Sequence, residues 1–196
     1  MIGGPQVRNV GTLAGNVAHA LPAGDGTIGL LALGGEIEVA GVDGNRWMPL
    51  QESFKGPGKS FIDRYRQILT RLRFRPTGPG EGSAHHRVMR PQGLCLPIIS
   101  MGVRVALGEN DDISDARISM GPVGPVPHLA EPAMEALIGG PATPSQYAKA
   151  AEVALQHVEL RASKYRATRE YREQMVRTFL PAILERAVER ARRGLS

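Results

Sequence analysis

What most constrains this chain is where its regular structure must stop. It carries 24 glycines and 15 prolines in 196 residues, and they gather in a few places. Residues 1–35 are glycine-rich and apolar, and leave room only for short helices between turns. Residues 76–83 are mostly glycine and proline and mark the best linker. The run Gly121-Pro122-Val123-Gly124-Pro125-Val126-Pro127 cannot be regular, because each proline fixes φ and removes an N–H donor.

Periodicity fills the gaps. Residues 25–33 suit about two helical turns closed by Gly34-Gly35. Residues 36–40 alternate as a strand, Asp43-Gly44 supplies hairpin chemistry, and residues 46–50 return. Residues 51–60 read as a loop around Gly56-Pro57-Gly58. Beyond it Ile68, Leu72 and Phe74 point one way and Arg71, Arg73 and Arg75 the other, as in a half-buried strand. Two more strands, 96–107 and 113–120, flank a polar turn at 108–112. Helical spacing then takes over at 129–137, 145–157 and 167–193. In the last run Val176, Leu180, Ile183, Leu184, Ala187, Val188 and Ala191 keep one apolar stripe, and Pro181 is a point for a break or kink. Strands followed by helices predict an α+β fold in two lobes.

Composition narrows the function. Hydrophobic content of 42% with 22% charged residues is that of a globular domain. No window approaches 18 consecutive apolar residues, so no membrane span is expected. The start Met1-Ile2-Gly3-Gly4 lacks a basic region followed by an apolar one, which with the lone Cys95 predicts a cytoplasmic protein. One cysteine cannot hold an iron–sulfur cluster. It reads as a buried, inert thiol. His85-His86 lacks a third metal ligand at useful spacing. The net charge of +5 raises a nucleic-acid partner. Only 5% of residues are aromatic and the arginines are interleaved with acids, so that reading stays a minor alternative.

Gly24-Asp25-Gly26-Thr27-Ile28-Gly29 spells G-x-G-x-x-G, with Asp43 near where a ribose-binding acid would stand. The pattern needs a strand before it and a full helix after it. Pro22 upstream and Gly34-Gly35 downstream deny both, so no dinucleotide site of that type is expected.

A longer motif carries the function. Gln6-Val7-Arg8-Asn9-Val10-Gly11-Thr12-Leu13-Ala14-Gly15-Asn16, continued by Ala20-Leu21-Pro22-Ala23-Gly24-Asp25, resembles the second flavin loop of the xanthine dehydrogenase and carbon monoxide dehydrogenase flavoproteins. That loop reads approximately Q-[IV]-R-N-x-[AG]-T-[IL]-[GA]-G-[ND], then A-x-P-x-x-D. Its chemistry is coherent here. Gly11, Ala14 and Gly15 let backbone N–H groups approach a phosphate or ribityl chain. Thr12 adds a hydroxyl, Asn16 an amide that fixes the loop or meets a ligand, and Asp25 a carboxylate to accept from ribityl or ribose hydroxyls. The bland alternative is a glycine turn capped by Asp25. Further along, Phe54-Lys55-Gly56-Pro57-Gly58-Lys59-Ser60 resembles F-x-G-P-x-K-T. Leu69 aligns with an isoalloxazine-contacting leucine. In His86-Arg87-Val88-Met89-Arg90-Pro91-Gln92-Gly93, Arg87 stands about where a flavin-side lysine is found. The segment Arg117-Ile118-Ser119-Met120 through Pro127 and the segment Arg166-Ala167-Thr168-Arg169-Glu170-Tyr171-Arg172 match two C-terminal motifs, with Tyr171 and Arg172 more at home in helix packing than in ligand binding.

The resemblance implies the second lobe of a PCMH-type FAD-binding domain (residues 1–80), then a CO-dehydrogenase-flavoprotein-like C-terminal domain (residues 84–193) of antiparallel sheet plus helices. It implies FAD as cofactor, held by Gly11, Thr12, Ala14, Gly15, Asn16, Asp25, Leu69 and Arg87. It implies a molybdopterin-binding large subunit and a 2Fe-2S small subunit as partners, with electrons leaving for NAD or another acceptor. In the family an earlier lobe bears an A-G-G-[TH] turn for the pyrophosphate, which no residue before Gln6 matches. A separate chain supplying that lobe is one expectation, and a scaffold subunit without flavin is the other.

Overall fold

The computed structural model describes residues 4–90 and 95–194. Three short helices open it, α1 (Pro5–Val10), α2 (Leu13–Ala18) and α3 (Asp25–Ala32). Strands β1 (Glu36–Gly41) and β2 (Gly44–Pro49) follow, then one 3-10 turn (Leu50–Ser53), a small hairpin of β3 (Phe54–Gly56) and β4 (Lys59–Ser60), and β5 (Gln67–Arg73). The second lobe holds β6 (Glu81–Met89), β7 (Pro97–Leu107), β8 (Ile113–Gly121), β9 (His128–Leu129), α4 (Glu131–Leu137), α5 (Pro144–His157) and α6 (Arg169–Arg193). The first sheet runs in the order β2-β1-β5 and the second in the order β6-β7-β8-β9, with every pairing antiparallel.

The hairpin at 41–44 forms with Gly44 at φ 104°, in the left-handed half of backbone space where glycine is at ease. Four expectations are corrected. Residues 51–60 are a 3-10 turn and a miniature hairpin rather than a plain loop. The linker at 76–83 ends early, because β6 starts at Glu81. The first helix of the C-terminal series starts at Glu131, since Leu129 belongs to β9. The outward–inward alternation of β5 is interrupted: Glu38 pairs with Arg71 but Val39 with Leu69, leaving Thr70 as the extra residue of a bulge. A bulge shifts the side-chain phase. Leu69 and Leu72 therefore pack inward, whereas Ile68 is 65% exposed and Phe74 also faces out. Arg71, Arg73 and Arg75 do share the outer side, paired with Glu38, Glu36 and Glu81. The expectations for Met1–Gly3 and for Pro91-Gln92-Gly93 fall outside the described residues.

Alternation along β7 explains the second lobe. Ile99, Met101, Val103 and Val105 face helices α4–α6 and fill the main core. The intervening Ser100 and Gly102 face α3, as Ser119 does from β8, consistent with the period-2 geometry of a strand. Helix α3 buries Thr27, Ile28, Leu30, Leu31 and Ala32. Beyond its first turn it is apolar all round, as suits a helix lying between the two sheets. Helix α6 runs unbroken through Pro181, capped by the Thr168 hydroxyl and ended by Gly194 at φ 62°. The proline removes one ladder bond, while Val176, Leu180, Ile183, Leu184, Ala187, Val188 and Ala191 hold the flanking turns in the core.

Candidate functional site

The expected loop folds as the junction of α1 and α2. Thr12 caps α2, its Oγ1 accepting the Gly15 N–H at 2.9 Å, so that donor is used locally. The Asn16 Oδ1 accepts from the Thr27 N–H at 3.0 Å and the Thr27 hydroxyl at 3.2 Å. Asn16 thus caps the first turn of α3 from the neighbouring helix and sets the distance between them. Its Nδ2 is a donor left over for other use.

Around this junction lies an open groove of about 640 Å³ lined by Val7, Gly11, Thr12, Gly15, Asn16 and Gly26 among others. Its glycines are close-packed. A Cβ at Gly11 would stand 2.8 Å from the Val7 carbonyl, at Gly15 2.9 Å from Thr12 Oγ1, and at Gly26 2.7 Å from Leu13 Cδ1. Larger residues would push the walls apart or fill the hollow. The groove offers first-turn helix N–H groups, a hydroxyl and an amide beside apolar Val7 and Leu13, a donor set suited to phosphate or polyhydroxyl groups.

The remaining expected residues lie elsewhere. Ala14 is half-buried on α2. Asp25 opens α3 but is turned away from solvent, at 7% exposure. Its Oδ2 lies 2.9 Å from Arg87 Nε of β6, and both side chains are under a tenth exposed. Arg87 also meets Met89 Sδ and the Cys95 carbonyl. The Asp25 Oδ1 is buried without a hydrogen-bond partner. The two residues expected to flank a ligand therefore meet each other across the seam between the lobes. Leu69 lines a second hollow, of about 570 Å³, with Ala18, Lys55, Lys59, Ile62 and Arg64. Helix α2 separates the hollows, giving Gly15 and Asn16 to one and Ala18 to the other.

The other singled-out residues have structural partners. His85 bonds Ser100 at 2.8 Å and His86 stacks on Phe179 at 4.0 Å between centroids. Burial pushes both imidazoles below their usual pKa. Among the described residues no three His, Cys, Asp or Glu side chains form a group able to hold a metal. Cys95 is half-buried rather than buried. Arg172 is fully buried, donating to the Ile98 and Pro122 carbonyls. Among the described residues no strand precedes Gly24, as the glycine pattern would need. Sequence reasoning missed Gly26 and Thr27. Gly26 was set aside with that pattern, and Thr27 is joined to Asn16 across eleven residues with no local signal.

Comparison with known proteins places this geometry. The CO dehydrogenase flavoprotein C-terminal domain family matches residues 84–187. The family of the FAD binding domain in molybdopterin dehydrogenase matches residues 1–76. A putative xanthine dehydrogenase FAD-binding subunit of Escherichia coli is 28% identical over 97% of this chain and 64% of its own length. The carbon monoxide dehydrogenase medium chain of Afipia carboxidovorans is 28% identical over 98% of this chain and 65% of its own. Nicotine 6-hydroxylase medium subunit of Paenarthrobacter nicotinovorans is 32% identical over 90% of this chain and 60% of its own. Among solved structures, a carbon monoxide dehydrogenase of Hydrogenophaga pseudoflava superposes with TM-score 0.88 at 25% identity, over 96% of this chain and 64% of that one. The chain spans a little under two thirds of these relatives. With one domain family matched over each lobe, in the same order and on the same fold, it belongs to the FAD-binding (medium) subunit family of xanthine and carbon monoxide dehydrogenases.

Proposed function

We infer that the chain holds one wall of an FAD site and serves as the electron-relay subunit of a molybdenum-dependent dehydrogenase. The single observation that carries this reading is the groove at Gly11, Thr12, Gly15, Asn16 and Gly26, at each of whose three glycines a Cβ would crowd a neighbouring atom. Those residues fit the cofactor: small residues admit a ribityl–phosphate chain to backbone distance, and hydroxyl and amide groups supply donors. FAD held at this wall would supply the redox chemistry that links iron–sulfur clusters to NAD or another acceptor. The protein's own part is to bind and orient. Thr12 and Asn16 fix the loop, Leu69 offers an apolar surface, and no side chain is required to move a proton. Asp25 and Arg87 act from behind, joining α3 to the second sheet. The partners in this reading are a molybdopterin-binding large subunit and a 2Fe-2S small subunit in the cytoplasm. No described helix is long and apolar enough to cross a membrane.

The test is flavin content and FAD affinity of the assembled complex, wild type against Gly15→Val. The valine must fill the groove or displace Thr12. An affinity loss of tenfold or more, with unchanged circular dichroism, is expected; equal flavin occupancy would refute the groove as the site. A second reading, a scaffold without flavin, is favoured by the closure of Asp25 onto Arg87. It predicts a wild-type complex lacking the visible flavin absorption band.

A further inference from the structure

Between α5 and α6 the chain makes a cation-rich excursion, Arg161-Ala162-Ser163-Lys164-Tyr165-Arg166-Ala167-Thr168. It is a tied turn. The Ser163 N–H donates to the Ala167 carbonyl at 3.0 Å and the Arg166 N–H to the Ser163 carbonyl at 3.2 Å. Its ends are fixed as well: the Arg161 N–H donates to the Val123 carbonyl at 3.3 Å, and Thr168 caps α6 at the Tyr171 N–H. Tyr165 stands at the tip, 78% exposed, with the Lys164 ammonium 5.9 Å from its ring centroid. A rigid turn that holds a large aromatic ring in water loses little entropy when that ring is covered.

The charge around it is uncompensated. Among the described residues Arg161, Lys164, Arg166 and the adjacent Arg90 form no ion pair with a carboxylate. Arg90 reaches only the Arg166 carbonyl, at 3.2 Å. Beneath them Arg172 is fully buried with Nε and Nη2 unbonded. Burial first, and then the charges of Arg161 and Arg166, act against its own charge. On α6 three exposed arginines are matched, Arg169 to Glu173, Arg177 to Glu152 and Arg192 to Asp111, while Arg190 reaches the Ser83 carbonyl. What sets the turn apart is that its unpaired cations surround one exposed ring. Like charges gathered with no counter-charge raise the energy of the free protein, and an acidic surface would relieve it.

We propose that the 161–168 turn is a docking surface for the acidic face of a partner protein subunit, with Tyr165 as its anchor and Arg161, Lys164, Arg166 and Arg90 as the surrounding charge. The proposal rests on the reading of the chain as one subunit of a complex. A nucleic acid fits less well, since strand binding needs a basic track along the backbone and several stacking rings. Here there is one ring on one turn.

The experiment uses the chain co-expressed with the molybdenum-binding and iron–sulfur subunits. It measures the dissociation constant of the chain from the complex at low and high salt. Arg161→Glu with Arg166→Glu, and separately Tyr165→Ala, should each weaken assembly tenfold or more, with the wild-type affinity falling as salt rises. Tyr165→Phe should stay within about threefold, and Lys149→Glu, at an exposed position of α5 and equal in charge change to Lys164→Glu, should leave it unchanged. If the paired reversal alters the melting temperature, Lys164→Glu at the tip replaces it. Turn variants that assemble like wild type overturn the docking proposal and leave the flavin reading standing. So does a loss of DNA-duplex binding with assembly intact. A wild-type chain that joins neither subunit removes both.

Discussion

Replacing Asp25 with asparagine distinguishes a ligand-facing carboxylate from an interlobe strut. The Asp25–Arg87 contact is 2.9 Å, with side chains 6% and 8% exposed. At that separation the Coulomb attraction is about 6 kcal/mol for an effective dielectric of about 20, much of it offsetting desolvation. Removing one partner of such a buried pair costs about 3–5 kcal/mol. Arg87 retains the Cys95 carbonyl and Met89 Sδ as contacts, so the low end, about 3 kcal/mol, is expected. For a domain of this size that lowers the melting temperature by about 6–12 °C. Denaturant titration and calorimetry read it directly. The double variant Asp25→Leu, Arg87→Met should recover much of the loss, because no buried charge is left alone. An Asp25→Asn protein within about 0.5 kcal/mol of wild type, the range of ordinary surface changes, would refute the strut.

Other outcomes follow from packing and protonation. A Cβ at Gly82 would lie 2.0 Å from the Ala187 carbonyl and 2.6 Å from the Ala191 N of α6. Gly82→Ala must then separate strand from helix, at a cost of about 3 kcal/mol; a urea midpoint equal to wild type would contradict the packing. Burial lowers the pKa of His85, His86 and His128 below the ordinary 6.5. The unfolded chain therefore takes up these protons first, and stability falls as pH drops through about 6.5 toward the lower folded values. The urea midpoint should be lower at pH 5.5 than at 7.5, and His128→Gln should flatten that slope. A midpoint that rises on acidification would reverse the sign. Glu36 and Asp111, held low by Arg73 and Arg192, act in a separate window below about 4.5.

Much of the architecture was legible because it is written locally. The apolar stripe of α6, the Asp43-Gly44 turn and the glycine stop after α3 each follow from residues within a few positions of one another. What was missed is paired over distance. The phase of β5 depends on the Thr70 bulge, which exists only against Glu38 and Val39. The start of β6 at Glu81 runs against the local glycines and is set by its ladder with β7. At the groove, Gly11, Thr12, Gly15 and Asn16 were recognisable from their motif. Nothing in the sequence indicates that Asn16 spends its carbonyl oxygen on Thr27, or that Asp25 meets Arg87 sixty-two residues later.

Helix α3 has a consequence for how the molecule divides. Ser119 donates to the Ile28 carbonyl at 2.7 Å, Arg117 to the Leu31 carbonyl at 3.2 Å, and Arg87 grips Asp25. From the other direction, Val126 and Leu129 reach into the core of the first sheet. The chain changes lobe near residue 80, yet the mechanical joint does not lie there. Cutting at the glycine–proline stretch would strip α3 of its floor, and with it the brace that Asn16 leans on. The groove wall at Gly26 is thereby tied through α3 to the large sheet, so that side of the hollow and the second lobe form one body.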